Sequence, residues 1–140
     1  MINMATKAEL YHLALKQLED STGDILSSAL VTDDGLIMAN TNSGEVNKET
    51  FAAYCAAAFK RASETMEELS SENIDTLLFE SKNHRVVTVR VGEHALLTAL
   101  TGKNVQMGLV LINMQKTAHK IKELSETSVF TPSAASAKAH

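Results

Sequence analysis

The chain has 140 residues, 44% hydrophobic and 21% charged, with 1 proline and 6 glycines. That balance describes one folded domain, able to bury a core without metal or disulfide staples, and excludes a disordered or linker-rich chain. A net charge of -4 disfavours nucleic acid as a partner. A single cysteine, no basic start joined to an apolar run, and no apolar stretch near the ~20 residues of a membrane span together predict a reducing cytoplasmic setting.

From Ala5 to about Asp20, Ala8, Tyr11, Leu15 and Leu18 recur at spacings of three and four, with Leu10, Leu13 and Ala14 widening the stripe. The spacing predicts an amphipathic helix ended by Ser21-Thr22-Gly23. Next, Ile25 to Thr41 places two β-rich segments around Asp34-Gly35, the strongest short hairpin signal available. Asn42-Ser43-Gly44 reads as the loop that follows, and Asn47 as the N-cap of a second helix running to about Leu69.

On that second helix Phe51, Cys55, Ala58, Ala62, Met66 and Leu69 form a stripe expected to cover a sheet. Ala52, Ala53, Ala56, Ala57 and Phe59 carry apolar character further around than one sheet contact requires. A second neighbour is expected, and with no spare helix in the chain a copy of the same helix in another subunit is the natural candidate. The alternative is that alanine only supports helicity at exposed sites.

Three short strands follow, Ile74 to Glu80, Arg85 to Val91 and Ala95 to Leu100, with Lys82-Asn83-His84 and Gly92-Glu93 as turns too short for crossovers. They predict an antiparallel meander with helices on both sides. Asn104 is the expected N-cap of a last helix, buried through Met107, Val110 or Leu111, Met114, Ala118 and Ile121. The whole reads as an α+β fold in the order αββαβββα, with a single domain over residues 1–126 and a disordered tail over 127–140.

Signals for chemistry are weak. Cys55 lies on an apolar stripe, where a cysteine behaves as a small hydrophobe rather than a nucleophile. The five histidines are scattered with no pair at metal-ligand spacing, so no metal or other cofactor is expected. Thr101-Gly102-Lys103-Asn104 fails as a phosphate loop: Leu97 stands at the earlier glycine position and Asn104 at the magnesium-binding hydroxyl. Asp33-Asp34 is explained by the turn before Gly35. An enzyme is disfavoured.

The element order, the hairpin Ala29 to Ile37, the alanine-rich helix, and the passage Leu96 to Gly108 together resemble the Roadblock/dynein light-chain family over roughly Ala5 to Ser125. The resemblance implies a profilin-like sandwich: a five-stranded antiparallel sheet with the central helix on one face and the terminal helices on the other. It further implies a two-fold homodimer joined through central helices and third strands, placing Ala52, Ala56, Phe59, Ser63, Ile74, Thr76 and Leu78 in the interface. The function implied is that of the prokaryotic small-GTPase regulators: a non-enzymatic regulator or scaffold for a small Ras-like GTPase, contacted through Lys60, Arg61 and Glu64. Arg61 has no motif around it that marks an arginine finger. The alternative from another class is a small-ligand sensor of profilin-like or longin-like architecture, its pocket lined by Tyr54, Cys55 and Thr98.

Overall fold

The computed structural model describes residues 5–41 and 46–127. The expected tail and the expected loop at Asn42-Ser43-Gly44 lie outside them, the tail except for Thr127. The elements run α1 (Lys7–Thr22), β1 (Ile25–Thr32), β2 (Ile37–Asn40), α2 (Lys48–Ser70), β3 (Thr76–Glu80), β4 (His84–Val91), β5 (Ala95–Gly102) and α3 (Met107–Ser125). The strands form one antiparallel sheet in the order β2-β1-β5-β4-β3. The predicted architecture is the observed one.

Strand alternation decides which side chains face which helices. Leu30, Val87, Val89, Leu97 and Ala99 point to one face and form the larger core with Tyr11, Leu15 and Leu18 of α1 and Val110, Met114 and Ile121 of α3. Ala29, Val31 and Leu96 point to the other, where they meet Ala52, Ala56 and Phe59 of α2. Fully burying a side chain the size of Phe59 contributes about 2 kcal/mol.

Local chemistry sets the helix starts. Thr6 caps α1 and forms a reciprocal capping box with Glu9, at 3.1 and 2.8 Å. Asn47 caps α2 as expected, accepting from the Thr50 amide at 2.9 Å. The expected cap at Asn104 is not the observed one, because the cap of α3 falls two residues later, at Gln106, with no side-chain hydrogen bond. The preceding backbone is held elsewhere: the Gly102 amide donates to the Asp24 carbonyl at 3.0 Å, and Arg85 donates to the Lys103 carbonyl. A Cβ at Gly102 would lie 2.6 Å from the Asp24 carboxylate, which would have to swing away.

The hairpin turn anchors α2. Gly35 adopts φ 92°, which favours glycine, and a Cβ there would come within 3.2 Å of the Ala53 backbone. The same residue thus turns the chain and lets α2 lie close. With Ala52 and Ala56 facing Ala29 across the layer, small side chains on both sides set a short helix-to-sheet distance.

Candidate functional site

On α2 the structure rotates the helix relative to the expectation from its apolar stripe. Ala52, Cys55, Ala56 and Phe59 face the chain's own sheet, with Ala56 only 3% exposed. Ala52, Ala56 and Phe59 are therefore core residues of a single copy and are not free to meet another, which corrects their assignment to a dimer interface. Of the stripe expected to cover the sheet, Cys55 does so and Phe51 packs against the same cluster, while the rest turn partly or fully outward. Ala58 and Ala62 are half-buried, Met66 is exposed, and Leu69 is 76% exposed. Tyr54 joins them, one turn before Ala58 and 73% exposed. Spacings of four, four and seven residues put Tyr54, Ala58, Ala62 and Leu69 on one flank of the cylinder.

The clue to this rotation lies in the charges. Arg61, Glu64 and Glu68 are all exposed and mark the solvent crest of α2. The direction opposite that crest runs through Cys55 and Phe59, the residues found against the sheet. Lys60, Arg61 and Glu64 are all on this crest, and Arg61 Nη1 lies 4.0 Å from Glu64 Oε1 across one turn. Such an exposed pair contributes little to stability, so neither charge is committed to holding the fold.

Beyond Phe59 none of the α2 side chains is fully buried. Ser63, also expected at an interface, is half-buried, and its hydroxyl has no hydrogen-bond partner. Below this overhang the sheet is incompletely covered, because α2 packs on β1, β2 and β5. The partly covered apolar row Leu100, Val86 and Phe79 is continuous through the strand register and lines a cavity of about 330 Å³. Phe79 is 45% exposed and Leu78 is also exposed.

The two sheet edges are treated differently. β2 has four residues, and its Asn40 carbonyl accepts from His12 Nδ1 at 2.9 Å, so α1 guards that edge. Among the described residues, β3 has no strand on its outer side. Of the remaining predicted interface residues, Thr76 and Leu78 are on this edge strand, and Ile74 just precedes it, half-buried, with its carbonyl held by Arg90 at 3.3 Å.

Cys55 sits beneath α2 beside the Thr88 and Thr98 hydroxyls, which are 2.8 Å apart. Burial pushes its thiol above the usual range, opposed by the hydrogen bonds of Thr98 and Thr88, and so disfavours the reactive thiolate. The sensor pocket expected from Tyr54, Cys55 and Thr98 is not assembled. Cys55 and Thr98 pack together inside while Tyr54 is out in water on another face of the helix. Asp33, in the hairpin turn, pairs with His94, Oδ2 to Nδ1 at 3.4 Å.

These features define a small helix-sheet-helix module with exposed apolar residues on one helix flank and at an unguarded strand edge. Residues 12–101 match the Roadblock/LC7 domain model, and the chain belongs to that family. An uncharacterised protein of Methanocaldococcus jannaschii, MJ1340, is 32% identical over 105 residues, which span 75% of this chain and 91% of that one. Among solved structures, an MglB with a tetrameric arrangement superposes with a TM-score of 0.80 at 16% identity, over 90% of this chain and 95% of its own. The gliding protein MglB of Thermus thermophilus superposes at 0.79 with 16% identity, over 91% and 97%. At such identities these two show a shared fold.

Proposed function

We propose that the chain acts as a homodimer that binds a small Ras-like GTPase in a reducing cytoplasm and alters its nucleotide cycle, with no chemistry of its own. The observation that carries the reading is an apolar flank of exposed Tyr54 and Leu69 with half-buried Ala58 and Ala62 between them, on the same side of the sheet as the open row ending at Phe79. Alanines four residues apart let two helices approach closely, and a two-fold axis presents the same flank on both copies. An antiparallel partner strand against β3, along Thr76 and Leu78, satisfies the open edge in the same assembly. The tetrameric arrangement of one MglB neighbour supports self-association as a property of this fold.

Pairing α2 with its copy leaves Lys60, Arg61 and Glu64 in water beside the seam, duplicated by the symmetry. They form the contact surface for the GTPase. A partner that touches one switch conformation better than the other shifts the balance between them by that difference in affinity, and this alone changes hydrolysis or exchange. MglB likeness and the resemblance to GTPase regulators support this reading, and the exposed crest supplies a surface for it.

The test uses the purified chain, immobilised and exposed to lysate of its source organism loaded with GDP or a non-hydrolysable GTP analogue. The expected result is recovery of one small GTPase in a nucleotide-dependent manner, reproduced with that GTPase purified. A Lys60→Glu, Arg61→Glu, Glu64→Lys variant loses the capture while keeping its own oligomeric mass. Failure to recover a GTPase in either state, or equal recovery by the variant, overturns the proposal.

A further inference from the structure

Arg90 of β4 joins the two ends of a segment that neither core supports. From Lys60 to Asn73 no residue is buried, and only Ala62 and Ser63 are half-buried. Phe59, just before this stretch, is 3% exposed and belongs to the core beneath α2, and Ile74, just after it, packs against the same cluster. The Arg90 guanidinium carbon lies 5.1 Å from the centroid of the Phe59 ring, while Nε and Nη2 donate to the Ile74 carbonyl at 3.4 and 3.3 Å. The Arg90 amide donates to the Asp75 carbonyl at 2.9 Å. One residue thus holds the helix where it leaves the core and the chain where it returns.

Inside the segment little resists a change of direction. The last turn of α2 has no basic residue to offset the helix dipole, Glu67 and Glu68 stand near its negative end, and the cap is Ser71 at φ 59°, a left-handed conformation that glycine fills more readily. The paired register of β3 with β4 begins at Thr76 and Val89, so the Ile74 carbonyl lies ahead of it and is satisfied by the guanidinium. A planar guanidinium stacks on a ring and donates in its own plane at the same time, which an ammonium on a flexible stem does not.

We propose that Arg90 is a positioning residue for self-association. By tying Phe59 to Ile74 it sets the direction in which the second half of α2 presents Ala62 and Leu69, and it aligns Thr76 and Leu78 at the sheet edge. This rests on the reading of the chain as a homodimer, and Arg90 acts through Phe59 and Ile74 without touching the second copy. The fraction of copies in the matching arrangement scales the apparent affinity, and in a two-fold dimer it enters twice.

The test compares the parent chain with Arg90→Met, which keeps an apolar stem against Phe59 and removes the donors, and with Arg90→Lys, which keeps the charge without the planar fork. Hydrogen exchange is read by mass spectrometry at a concentration that keeps the chains associated, and the dimer dissociation constant by sedimentation equilibrium over a dilution series. Arg90→Met should exchange about tenfold faster from Lys60 to Thr76, with α1, β1 and α3 unchanged, and its dissociation constant should rise about tenfold. Arg90→Lys should fall between it and the parent. Unchanged exchange in that stretch overturns the proposal, because nothing was pinned. Faster exchange across the whole chain also overturns it, because Arg90 then serves the fold at large. So does local loosening with the dissociation constant of the parent. A parent that stays a single chain at every concentration overturns the homodimer reading and with it the role in association, whereas the exchange pattern separately shows whether Arg90 pins the segment.

Discussion

Ala56 and Ala58 are two positions apart on α2 and meet different surroundings. Ala56 touches the position a Gly35 side chain would fill and packs with Leu96, while Ala58 is half-buried on the outer flank. A glutamate at 56 must be desolvated without a partner, so Ala56→Glu should cost about 3 kcal/mol or more and lower the melting temperature sharply in a thermal scan. Ala58→Glu should melt well above Ala56→Glu, below the parent only by what association contributes. At Cys55 the raised thiol pKa predicts a sign for the pH dependence. The unfolded chain loses this proton near pH 8.5 while the folded chain retains it, so the contribution is fully present below about pH 8.5 and is lost as pH rises through the folded value. Denaturant titrations at about pH 7 and about pH 9.5 should show a drop in stability that is smaller in Cys55→Ala.

Among elements, the helices and strands are legible because their periodicities of 3.6 and 2 are long and clean, and Asp34-Gly35 marks the hairpin. The rotation of α2 is hidden for a physical reason. Its apolar residues cover so much of the circumference that the stripe alone does not pick a direction, and alanine suits a close sheet contact as well as a helix seam. The charges at Arg61, Glu64 and Glu68 break that tie, because a solvated crest fixes the buried side opposite. At Asn104 local capping propensity loses to tertiary contacts, with Asp24 and Arg85 holding the backbone of Gly102 and Lys103. The Thr6 capping box needs no tertiary partner, and its signal stands in the sequence just ahead of the apolar stripe that begins at Ala8. Thr6→Ala should cost about 1 kcal/mol, or roughly 2 to 5 °C in a thermal melt, since the Glu9 amide loses its acceptor.

For the whole molecule, the sandwich order and the helix placement follow from the sequence, whereas the candidate site is only half legible. Lys60, Arg61 and Glu64 are exposed and β3 is an edge strand, and their roles as contact surface and dimer edge are proposals. The proposed helix seam moves from Ala52, Ala56 and Phe59 to the flank through Ala58 and Ala62. A surface of this kind, with exposed apolar residues on a helix flank and at an open strand edge, is expected to be covered in solution. Self-association through that surface is the central claim, and sedimentation equilibrium at micromolar concentration tests it most directly. The parent chain should give about 30 kDa, twice its 15.1 kDa, and Ala58→Glu should give the single-chain mass with an unchanged circular dichroism spectrum. A parent mass of 15.1 kDa at that concentration contradicts the account.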